Sequence, residues 1–236
     1  MNIQKNIAIY IFTALTLTSC SGEQGMVEVQ GGTFTYGSSI SDKNMSPEAE
    51  ATLNDFYMDI YEVTNEEYRT FIKETKGKET PFWSINGYDK TKASHPVTFV
   101  SLENARAYCQ WKGKTLPNEA QWERAASGDD RRAYPWGKEF VKGVSNTVTS
   151  KTIRTEAVGT YPEGASPYGV MDLTGNVLEW TETSVVLKDD DYNEEMYVAK
   201  GGSWGLSHNV SKNFNRFLFT PDTKVNNLGF RCVKNK

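Results

Sequence analysis

Tyr168-Gly169-Val170-Met171-Asp172-Leu173-Thr174-Gly175-Asn176-Val177-Leu178-Glu179-Trp180 is the stretch on which the reading of this sequence turns. Taken alone it describes a tight, Gly-containing loop. Such a loop can aim successive backbone carbonyls at one point while the Glu179 carboxylate adds charge, a donor set that suits Ca²⁺. A plain turn satisfies the same residues, so both readings stay open. Outward from this loop the sequence keeps its glycine-punctuated character. Tyr134-Pro135-Trp136-Gly137 upstream and Gly201-Gly202-Ser203-Trp204 downstream are turn signals set among aromatic residues. Beyond Gly128 the expectation is therefore short strands joined by turns, closing with a strand over Leu228–Val233.

Further upstream the signals become regular. Met26-Val27-Glu28-Val29, a Gln30-Gly31-Gly32 turn and the alternating Thr33-Phe34-Thr35-Tyr36 predict a hairpin. Thr52–Tyr61 is a strand candidate, with Leu53, Phe56, Met58 and Ile60 apolar. Three helices are signalled. Thr64-Asn65-Glu66-Glu67 is a capping-box pattern followed by Tyr68, Phe71 and Ile72 on one face, with Gly77 beyond the end. A second helix starts at Ser101, carries Leu102, Ala105, Tyr108 and Cys109, and stops at Gly113. A third follows the cap Asn118, turns Trp122, Ala125 and Ala126 inward, and ends at Gly128. The pattern is α+β, with little regular structure and no linker dividing residues 26–236.

Composition narrows the function classes. Lys+Arg 26 against Asp+Glu 30 leaves a net charge of −4, which argues against a nucleic-acid partner, since such a partner needs a basic face. Two histidines and three cysteines exclude a three-histidine metal site and a four-cysteine zinc site. The apolar run Ile7–Leu17 is too short to span a bilayer and has the shape of a signal-peptide core. It leads into Leu17-Thr18-Ser19-Cys20, which matches a bacterial lipobox. The expected layout is a lipoprotein signal peptide at 1–19, a lipidated Cys20 with a tether to residue 25, and one domain at 26–236. That layout implies a lipid-anchored protein of the bacterial cell envelope, periplasmic or surface-exposed. Cys109 and Cys232 then remain as a candidate disulfide for an oxidising compartment.

The motif blocks occur in a recognisable order. Gly31-Gly32-Thr33-Phe34-Thr35-Tyr36-Gly37-Ser38 is followed by Asp59-Ile60-Tyr61-Glu62-Val63-Thr64-Asn65-Glu66-Glu67-Tyr68 and His95-Pro96-Val97. Ala107-Tyr108-Cys109-Gln110-Trp111 and Gly113-Lys114-Thr115-Leu116-Pro117-Asn118-Glu119-Ala120-Gln121-Trp122-Glu123 come next. After the blocks at 134–137, 168–180 and 201–204, Asn227-Leu228-Gly229-Phe230-Arg231-Cys232 closes the set. Across about 26–234 this resembles the formylglycine-generating enzyme family, also called the sulfatase-modifying factor domain. The resemblance implies an irregular C-type-lectin-like α+β fold and a disulfide between Cys109 and Cys232. It also implies a calcium loop formed by Thr174, Gly175, Asn176, Val177 and Glu179. A further family calcium site would start near Asn146-Thr147, but its second half has no obvious Asp here.

What the resemblance leaves missing bears on function. The enzymes hold Cu(I) between two cysteines shortly after Gly-Gly-Ser-Trp, and soft thiolates suit that ion. Here Gly205 to Arg216 contains no cysteine, so no copper is expected. Ser203, Trp204, His208 and Arg216 remain as a possible binding groove. Arg231 is at least as well read as half of a buried ion pair, and Trp111, Trp122, Trp136, Trp180 and Trp204 as ring packing with indole N–H groups to satisfy. Two function classes compete: a non-catalytic envelope binding or scaffold module for a protein, peptide or glycan partner, and a formylglycine-generating oxidase acting on sulfatase cysteines. The missing thiols favour the first. A lectin-like glycan binder is suggested by fold analogy alone.

Overall fold

The computed structural model describes residues 23–39, 46–150, 152–189 and 192–236. The signal-peptide and lipidation expectations, including Cys20, lie outside the described residues. Within them, no helix is long and apolar enough to cross a membrane.

Three small sheets and four α-helices make up the regular structure of the described residues. β1 (Met26–Val29), β4 (Phe56–Asp59) and β9 (Val233–Asn235) form one antiparallel sheet. β2 (Gly32–Tyr36) and β3 (Ala49–Leu53) form a second. β5 (Leu178–Asp189) and β6 (Tyr192–Lys200) form a long hairpin. It is flanked by β7 (Phe217–Phe219) against β6, and by β8 (Leu228–Gly229) parallel to β5.

The predicted helices are present with their caps. α1 (Asn65–Thr75) starts from a capping box between Thr64 and Glu67. α3 (Leu102–Trp111) is capped by Ser101, and α4 (Glu119–Ser127) by Asn118, each with the reciprocal bond from its third residue. α2 (Pro81–Asn86) is one short helix the sequence pattern did not signal; Thr80 caps it, Pro81 opens it and Gly87 closes it.

Four strand expectations are corrected. β1 and β2 do not pair with each other, because the Arg124 guanidinium of α4 takes the carbonyls of Gln30 and Gly31 while Gly31 N–H donates to Asp55. The expected strand over 52–61 is likewise broken at Asn54-Asp55 into β3 and β4. The closing strand is split as well. Between β8 and β9, Arg231 and Cys232 are held by partners elsewhere in the fold, so the chain leaves one sheet and joins another. Finally, the region beyond Gly128 contains the molecule's longest hairpin rather than short strands only.

Two apolar clusters fill the interior. One packs Tyr68, Phe71, Trp83, Tyr108 and Phe230 between α1, α2, α3 and β8. Tyr68 stacks on Tyr108, and Phe71 meets it edge-on. The other packs Val29, Phe56, Met58, Trp122, Ala125, Leu173 and Val233 between α4 and the β1-β4-β9 sheet. The Cys109–Cys232 disulfide ties α3 to the segment between β8 and β9.

Candidate functional site

The loop at 174–179 sits between the two clusters, and its geometry follows from charge burial. Glu179 and Arg231 are both 0 % exposed. Arg231 places Nε and Nη2 on the two Glu179 oxygens, each at 2.7 Å, and its other N–H groups reach the carbonyls of Asp59, Ile60 and Met171. Trp122 Nε1 donates to Glu179 as well, at 2.8 Å. Every donor of the guanidinium is therefore used.

Around this pair the loop is held by a buried acid. Glu62 accepts from the Val177 N–H and from Asn176 Nδ2. Asn176 Oδ1 in turn accepts from Asn146 Nδ2 and the Glu156 N–H. Burial pushes the Glu62 carboxyl well above its ordinary range, and the Asp172 and Glu179 carboxylates add to the rise. Burial likewise pushes Asp172 up to about 6. Three buried carboxyls thus share one guanidinium, and raised pKa values ease the excess negative charge. Gly175 is obligatory in this packing: it has φ +97°, and a Cβ would lie 2.1 Å from the Asn146 carbonyl oxygen.

This arrangement engages the side-chain members of the expected calcium set elsewhere. The loop's one carboxylate, Glu179, has both oxygens on Arg231. The Thr174 hydroxyl donates to Ser211 O, and the Asn176 amide is tied to Glu62, Asn146 and Glu156. Ca²⁺ takes six to eight oxygen ligands, waters among them, and relies on carboxylates for charge. Among the described residues no cluster of three or more His, Cys, Asp or Glu side chains is placed to hold a metal. At the second expected site, Asn146 spends Nδ2 on Arg154 O and Asn176, while its buried Oδ1 has no partner.

The segment after Gly202 was expected to line a groove, and only part of it does. Gly202 has φ +79°, and a Cβ would lie 2.0 Å from Ser211 Oγ, so the backbone packs directly against that hydroxyl. Trp204 lines a groove of about 230 Å³ together with Phe82, Phe99, Lys92, Arg154 and Asn226. Its indole Nε1 is buried and has no hydrogen-bond partner. Ser203 lies behind it, fully buried, its hydroxyl accepting from Asn227 Nδ2. His208 stacks on Phe140 with ring centroids 4.0 Å apart, away from the groove. Arg216 turns instead to a buried ionic cluster, 3.8 Å from Glu119, where Lys200 also meets Glu119 and Glu123.

Sequence reasoning missed the groove's other wall. Phe82 comes from the unsignalled α2, and Phe99 stands on a left-handed backbone, φ +59°. For a bulky residue that conformation costs on the order of 1–3 kcal/mol. The Phe99 N–H bond to Val225 O holds it there, with its ring stacked on Phe82 at 5.4 Å. No local pattern announces such a residue.

Nor do the residues fit Cu(I). Residues 205–229 contain no cysteine, and Cys109 and Cys232, both fully buried, are bonded to each other. The described residues therefore carry no free thiol.

Comparisons with known proteins agree with this geometry. The sulfatase-modifying factor enzyme 1-like domain matches residues 14–236. The chain is 32% identical over 266 residues to the inactive C-alpha-formylglycine-generating enzyme 2 of Bos taurus, covering 88% of this chain and 87% of the relative. It is 29% identical to the formylglycine-generating enzyme of Mus musculus, covering 88% of this chain and 74% of that protein. Among solved structures, PvdO from Pseudomonas aeruginosa superposes with a TM-score of 0.72 at 22% identity, covering 89% of this chain and 94% of that one. The fold is the irregular, C-type-lectin-like α+β arrangement that the motif order implied.

Proposed function

This chain belongs to the sulfatase-modifying factor enzyme 1-like family, and from that premise we propose that it is a non-catalytic, lipid-anchored envelope module that binds a partner in the Trp204 groove. The absence of any cysteine between Trp204 and Phe230 carries the reading. Without paired thiolates the segment after Trp204 lacks the donor pair that holds Cu(I) in the enzymes, and hydroxyl or imidazole groups are poor replacements. The similarity to a relative named inactive supports the same reading, and the lipobox at Leu17–Cys20 supports the anchor. A bound calcium ion at Thr174–Glu179 is not part of it.

Two measurements test the proposal. The purified chain loaded with copper should convert a cysteine-containing sulfatase peptide to formylglycine no faster than copper alone. Turnover above that background, abolished by Trp204→Ala, would overturn the non-catalytic reading. For the anchor, the Cys20→Ala variant should leave the membrane fraction, and its retention there would show that lipidation is not what holds the protein.

A further inference from the structure

We infer that the groove at Trp204 takes an extended peptide segment bearing an acidic side chain next to an apolar one. The inference rests on the reading of this groove as the binding site and adds the chemistry of its ligand. Lys92 and Arg154 line the groove, and among the described residues neither side chain forms an ion pair or a hydrogen bond. The lining has one acid, Asp89, whose Oδ1 accepts from the N–H and hydroxyl of Thr91, at 2.9 and 2.6 Å. Two cations against one carboxylate leave the lining with a net positive charge in a chain whose net charge is −4. His95 lies beside it, 3.1 Å from the lining residue Thr155. Burial chiefly, and after it the Lys92 charge, push the His95 pKa down, against a smaller rise from Thr155 and the Glu156 carboxylate.

The apolar half is equally specific. Phe82 and Phe99 stack on each other, and Ile153 stands 76% exposed at the rim. Together with Ile153 the two rings give the groove an apolar wall against which an aliphatic or aromatic side chain can be buried. A polar group for a peptide backbone is present too. The Asn226 carboxamide lines the groove and makes no side-chain hydrogen bond among the described residues. A carboxylate between Lys92 and Arg154 would form charge-assisted bonds in a partly desolvated site, the stronger class of hydrogen bond.

The test uses the full chain in detergent micelles and three fluorescein-labelled octapeptides in which Leu and Phe alternate with Glu, Gln or Lys. The Glu peptide should bind about tenfold more tightly than the Gln peptide at low salt, a difference that narrows as ionic strength rises. In the K92E/R154E double variant the order should reverse, the Lys peptide becoming the tightest. An unchanged melting curve for that variant would establish that the fold is intact. Equal binding of the Glu and Gln peptides overturns the acidic preference and leaves the groove reading standing. If none of the three peptides binds, the groove reading itself falls. Tighter binding of an oligosaccharide of uronic acids than of any peptide would make the ligand an anionic glycan and overturn the inference.

Discussion

Arg231 is the residue on which the interior depends. Its guanidinium satisfies Glu179 and three backbone carbonyls at once, and it is the cation facing Glu62 and Asp172 as well. Replacing it by Met keeps volume but leaves these carboxyls without a counter-charge. Removing one partner of a buried pair typically costs about 3–5 kcal/mol. Arg231→Met should therefore lower the urea midpoint by that equivalent. Asp172 makes the opposite prediction. Its folded pKa, about 6, lies above its ordinary 3.8, so the native state holds a proton that the unfolded chain has released. Stability should fall as pH rises through that window, by on the order of 2–3 kcal/mol. Asp172→Asn removes the charge, keeps an acceptor for the Gly159 N–H, and tolerates the left-handed φ of +61°. The variant should be more stable than the parent at pH 7.5 and nearly level with it at pH 4, read from urea midpoints across the range.

At the scale of elements, the fold is held by contacts between segments far apart in sequence. The Cys109–Cys232 bridge joins α3 to the β8–β9 segment across a separation of 123 residues. On the chain-entropy account a loop of that size contributes about 4–5 kcal/mol. A Cys109→Ser/Cys232→Ser double variant should lose stability of that order, measured by urea denaturation without reductant. The helices were legible because their caps are local: Thr64, Ser101 and Asn118 each bond a backbone N–H three residues on. Strand pairing was not legible. Gln30-Gly31-Gly32 looks like a hairpin turn until Arg124, remote in sequence, takes two of its carbonyls.

For the whole molecule, β5 is the shared wall of the two apolar clusters. Leu178 and Trp180 face one, and Glu179 between them reaches Trp122 in the other. Neither cluster can lose its packing without exposing the other's wall. Calorimetry should accordingly show one transition, with calorimetric and van't Hoff enthalpies in agreement. Because Arg231 occupies the Glu179 carboxylate, that transition should stay at the same temperature in EDTA and in excess Ca²⁺. A rise with Ca²⁺ would overturn this prediction, since an ion that binds only the folded state must raise the melting temperature.

Family membership, the helix starts and the missing copper ligands could all be read from the chain itself, because each depends on residue types at short, fixed spacing. The disulfide partner was available through the resemblance. The use of Glu179 was decided in three dimensions. A loop carboxylate offers the same oxygens to Ca²⁺ and to a guanidinium, and only the fold brings Arg231, 52 residues away, onto both of them. The binding groove is of the same kind. Ser203, His208 and Arg216 are near Trp204 in sequence yet point elsewhere, while Phe82, Lys92, Phe99 and Arg154 reach it from distant segments. A concave surface is a product of chain crossings, and periodicity and spacing record only what neighbours in sequence do.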